Sequence, residues 1–82
     1  MQTAMGYITV VQEQRFRLLT NEGQGLLLTL AHHASLTGSD LRRLQTANVH
    51  VVVEYTGEPN LDSGVAHVVR PSTASRVVGE DR

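Results

Sequence analysis

Over most of the chain apolar residues recur at every second position, the period of a strand with one face toward a core. Residues 6–11 (GYITVV) put Ile8 and Val10 on one side and Tyr7, Thr9 and Val11 on the other. Gln12, Glu13 and Gln14 break the pattern and can turn the chain. Residues 15–20 (RFRLLT) alternate again, with Phe16 and Leu18 inward and Arg15 and Arg17 outward. Asn21 and Gly23 then mark a tight turn, because Asn opens turns through its side chain and Gly accepts the positive φ that closes a hairpin.

A third strand is predicted over residues 26–31 (LLLTLA), with Leu26, Leu28 and Leu30 on one face and Leu27 and Thr29 on the other. Leucine favours helix by propensity. The shortness of the run and the glycines at 23 and 25 favour a strand instead. Residues 49–55 (VHVVVEY) form the strongest strand pattern, with Val49, Val51, Val53 and Tyr55 inward and His50, Val52 and Glu54 outward. Residues 56–64 carry Gly57, Pro59 and Gly64 and read as a loop. A last strand covers residues 65–70 (VAHVVR), and Pro71 ends it.

One segment changes period. Thr37 and Asp40 stand three apart, as in a capping box with Asp in place of Glu. Leu36 and Leu41 have the spacing of a hydrophobic staple, and Leu41 and Leu44 make a narrow apolar stripe. Asn48 tolerates a left-handed conformation and supplies a stop. A helix over residues 38–47 follows, too short to stand alone, so it must rest on the sheet or plug a barrel end.

The order strand, strand, strand, helix, strand, strand resembles the OB-fold, a five-stranded Greek-key barrel with its helix between the third and fourth strands. The expected fold is therefore all-β with one short helix, an OB-like barrel over residues 6–70. Residues 1–5 are expected as a loose leader and residues 71–82 as a disordered tail. Within that frame RFRLLTNEG followed by LLLTLAHH resembles a cold-shock domain over residues 6–35, in the order of strand, acidic-Gly turn and strand. The resemblance implies a single-strand nucleic-acid binder working through exposed rings. Leu18 and Leu27 or Leu28 stand where that family carries phenylalanines, and alternation buries Phe16. Each lost base-stacking contact removes about 1–3 kcal/mol, so any such binding is expected to be weak.

Composition narrows the choice. The chain has 82 residues, 40% hydrophobic and 18% charged, which suits one small globular domain. Its formal net charge is -1, which argues against tight, non-specific binding of DNA or RNA. No cysteine is present, which excludes disulfides and thiolate metal sites. No basic segment precedes a long apolar run near the N-terminus, so neither a signal peptide nor a membrane span is expected, and a bacterial, cytoplasmic protein is the default expectation.

No phosphate loop, catalytic triad pattern or paired carboxylates beside a cleft is legible, so no enzyme and no cofactor are expected. The favoured reading is a non-enzymatic binding module that weakly contacts single-stranded nucleic acid, RNA before DNA. Its expected face is Tyr7, Thr9, Arg15, Arg17, Leu27 and Thr29. The rival is a protein-interaction or self-associating barrel, docking through Leu27, Val52 and Val69 if these outward apolar residues cluster. His32 and His33, adjacent on an extended chain, point to opposite faces, while His50 and His67 are expected to lie diagonally on one outer face. No metal site is expected from either pair, because no third ligand is evident.

Overall fold

A computed structural model describes residues 1–61 and 63–72. The elements are β1 (Gln2–Gln12), β2 (Arg15–Thr20), β3 (Gly25–Leu30), α1 (Gly38–Thr46), β4 (His50–Thr56) and β5 (Val65–Pro71). They close into one barrel in the order β1-β2-β3-β5-β4. All neighbours are antiparallel except β3 and β5, which run parallel and meet only at Thr29↔Val65 and Leu30↔Ala66. The mostly-β barrel with one helix between β3 and β4 is the expected architecture, compatible with an OB-like barrel.

Closure depends on β1 serving two partners. Its first half pairs with β4 from Gln2↔Tyr55 to Tyr7↔His50, and its second half pairs with β2 from Gly6↔Thr20 to Gln12↔Arg15. Residues 2–5 are thus strand, not the loose leader expected of them, because the edge of β4 supplies their hydrogen-bonding partners. At the other end Pro71 belongs to β5, and Ser72 is buried and donates its N–H to the His50 carbonyl at 2.8 Å. The barrel therefore runs slightly past residues 6–70 at both ends. The rest of the expected tail, residues 73–82, lies outside the described residues.

Two bulges reset the alternation. Between β1 and β2 the register passes from Ile8↔Leu18 to Val10↔Arg17, so Thr9 is an extra residue. Ile8 stays buried, but Val10 is exposed rather than inward as the plain period predicts. Between β4 and β5 it passes from Glu54↔Val68 to Tyr55↔Ala66, which makes His67 the extra residue. Ala66 and Val69, three apart, then both face the core. That core also holds Ile8, Phe16, Leu18, Leu28, Leu30, Leu41, Val51, Val53 and Tyr55. These are the inward positions that the period assigned, and the described residues leave no buried side-chain polar atom without a partner.

α1 starts as its sequence requires. The Asp40 N–H donates to Thr37 Oγ1 at 3.3 Å, and the Thr37 N–H donates to Asp40 Oδ2 at 2.9 Å. Leu41, fully buried, ties the helix to the barrel, and Asn48 beyond it has φ 55. The bond from the Thr37 backbone is the main reason the Asp40 carboxyl titrates below its ordinary value, with the Thr37 hydroxyl and Arg43 acting in the same direction against desolvation. A lowered folded-state value stabilises the protein above the ordinary Asp range, and that stabilisation is lost as pH falls through the lowered value. Thr37→Ala is expected to lower stability by about 1 kcal/mol in urea titration at neutral pH. In Asp40→Asn the part of the acid-side stability loss that Asp40 causes should disappear.

Candidate functional site

The outer face of β1, β2 and β3 is built in cross-strand rows. Arg15 stands between Gln12 and Thr29, Arg17 between Val10 and Leu27, and Leu19 between Tyr7 and Gly25. Strand pleating puts alternate residues of β2 on this side, so the two arginines project together about 7 Å apart. Both are exposed, as are Tyr7, Val10 and Leu19. Thr9, thrown out by its bulge, is also exposed and donates its hydroxyl to the Arg17 carbonyl at 3.4 Å. Leu27 and Thr29 are half-buried. The structure thus brings Tyr7, Thr9, Arg15, Arg17, Leu27 and Thr29 onto one continuous surface.

Two features of that surface are not legible in local sequence. The first is a second ring. His50 packs edge-on against Tyr7, with ring centroids 5.2 Å apart and planes at 70°. Its Nε2 hydrogen-bonds Asn21 Oδ1 at 2.9 Å, which holds the imidazole over the hairpin turn. The second is a cleft of about 450 Å³ between the β1–β2 hairpin and α1, lined by Val11, Gln12, Glu13, Arg15 and Arg42. Arg42 comes from the helix, and no sequence signal connects it to Arg15. Only the packing of α1 on β1 does so, with the Gln45 side-chain amide donating to the Thr9 carbonyl at 2.7 Å.

Charge on the barrel is unevenly paired. Arg43 reaches Asp40 at 3.7 Å and Arg70 reaches Glu54 at 4.0 Å. Among the described residues Arg15, Arg17 and Arg42 have no carboxylate within 4.0 Å. Arg17 instead lies down beside Gly25, its guanidinium occupying the space that a side chain at position 25 would need.

The rival docking surface is not present as expected. Val52 and Val69 are each only 7% exposed. Val69 faces the core because the His67 bulge reverses the parity of β5 beyond it, and Leu27 is half-buried. Apart from Met1 and Leu61, which lie outside the strands, the large exposed apolar side chains among the described residues are on β1 and β2, at Met5, Tyr7, Val10 and Leu19. Nor do His50 and His67 meet. His50 turns to Tyr7 and Asn21, while His67 meets Thr56 and His33.

Comparison with known protein families, with curated proteins and with solved structures gives no match. Among the described residues no helix is long and apolar enough to cross a membrane. The surface chemistry is what bears on function.

Proposed function

We propose that this barrel is a non-enzymatic module that weakly binds single-stranded nucleic acid across the outer face of β1–β3. One observation carries the reading: the three arginines without ion pairs among the described residues run from that face into the cleft beside α1. Unpaired guanidiniums are pre-organised to take phosphate oxygens through planar, paired N–H donors. The Tyr7–His50 pair supplies rings against which a base can stack, and Val10 and Leu19 supply an apolar floor beside it. The resemblance to cold-shock domains over residues 6–35 supports the same class of ligand. The near-neutral chain and the small number of rings keep the affinity low.

The test is fluorescence anisotropy of a labelled mixed-sequence oligoribonucleotide at low salt, repeated with the deoxy strand. Binding is expected to fall steeply with salt. Arg15→Ala together with Arg17→Ala should weaken it at least tenfold and flatten the salt slope by about 1.4, as expected for two lost phosphate contacts to a single strand. Absence of binding to either strand at low salt overturns the reading. The exposed apolar group of Met5, Tyr7, Val10 and Leu19 favours a second reading, a protein-docking or self-associating face. It predicts a sedimentation mass above the monomer that Leu19→Glu returns to the monomer value.

A further inference from the structure

We infer that His33 and His67 form a two-imidazole seat for a divalent transition-metal ion, with water in the remaining coordination positions. The seat does not depend on the nucleic-acid reading and uses none of its residues. His33 is exposed in the segment after β3, and His67 is the extra residue of the β5 bulge. The fold brings them together across 34 positions: His67 Nδ1 lies 3.0 Å from His33 Nε2, and the rings stack with centroids 5.0 Å apart and planes at 28°.

Three points support coordination. The first is spacing. Two nitrogens bound at ~2.0–2.1 Å to one ion stand about 2.9 Å apart at a right angle and about 3.4 Å apart in a tetrahedron. The observed 3.0 Å falls inside that window. Without metal the same pair is held by an N–H···N hydrogen bond; when the ion binds, the donating imidazole moves its proton to its other ring nitrogen, so that both facing nitrogens offer a lone pair.

The second point is the orientation of His67. Its Nε2 lies 2.8 Å from the Thr56 hydroxyl. When Nε2–H donates to Thr56 Oγ1, the lone pair falls on Nδ1, the nitrogen that faces His33. A hydrogen-bond acceptor behind a ligating imidazole is the usual device that sets its tautomer and holds the ring. The third point is access. The exposed His33 ring can rotate to admit an ion without disturbing the core.

Among the described residues no third His, Cys, Asp or Glu joins the pair. The shell is therefore open, and the ion exchanges readily. A donor set of imidazoles alone selects Cu²⁺, Ni²⁺ and Zn²⁺ and discriminates against Mg²⁺ and Ca²⁺.

The experiment is calorimetric titration of the untagged full chain with Zn²⁺, and separately with Cu²⁺ and Mg²⁺, alongside NMR of the imidazole signals. One Zn²⁺ per chain is expected, with tighter Cu²⁺, no response to Mg²⁺, and shifts at His33 and His67. His33→Ala and His67→Ala should each weaken Zn²⁺ at least tenfold. Thr56→Val should weaken it less, and His32→Ala and His50→Ala should leave it unchanged. Should His67→Ala unfold the barrel, the exposed His33→Ala and the wild-type imidazole shifts carry the test. Zn²⁺ in excess that moves neither imidazole, or that binds equally well to His33→Ala, overturns the proposal. Equal losses from His32→Ala and His33→Ala overturn it too, since they mark diffuse surface binding.

Discussion

Phe16→Ala is expected to remove a large share of the stability of this protein. Phe16 is 1% exposed and is the largest of the fully buried side chains. It shares the barrel interior with Leu18, Leu28, Val51 and Val53, each at most 1% exposed. Phe-to-Ala truncations in packed cores cost about 3–5 kcal/mol, because the lost transfer energy adds to that of an unfilled cavity. At ~0.05–0.15 kcal/mol per residue, a chain of this length has only about 4–12 kcal/mol in total. A closed barrel collapses poorly around a void, since moving one strand inward strains the hydrogen bonds on both of its sides. The melting temperature should drop by more than about 12 °C, and the urea midpoint should fall with it. A loss under about 1 kcal/mol would show that the barrel interior is not where the stability lies.

Gly6→Ala is the second large effect, and its cause is backbone rather than packing. Gly6 is buried where β1 changes partners, opposite Thr20 on β2 and Val51 on β4. A Cβ there would overlap the Leu19 carbonyl oxygen and stand 2.8 Å from the Thr20 Cα. Neither obstacle can rotate away. Opening the strands to make room would break the pairing that closes the barrel. The expected loss is about 3 kcal/mol or more, at the upper end for overpacking. Gly25→Ala is the comparison. There the obstacle is the Arg17 guanidinium, the far end of a flexible side chain, so the barrel should keep its stability within about 1 kcal/mol. Similar denaturation midpoints for the two variants would remove the case for close backbone approach at Gly6.

The candidate surface was partly readable before folding. Arg15 and Arg17 had to project together, because alternation set by the buried Phe16 and Leu18 leaves them no other face. Tyr7 followed from the same parity across the hairpin. Arg42 and His50 did not, since each joins the surface through a contact with β1 that no local pattern encodes. The His33–His67 contact was not legible either: strand parity separates His33 from its neighbour His32 without naming another partner, and an assumed straight register placed His67 beside His50.

By itself the sequence determined the number, type and order of the elements, the aliphatic interior and the capped helix start. These follow from local physics: side chains alternate along any strand, and a threonine hydroxyl reaches the amide three residues on. The tertiary structure alone decided where parity breaks and what meets across the barrel. A bulge inserts one residue into a pairing at almost no local cost, so Thr9 and His67 carry no mark of it, yet they turn Val10 out and Val69 in. The extension of β1 to Gln2 is of the same kind, because QTAM becomes strand only when β4 lies alongside to take its hydrogen bonds.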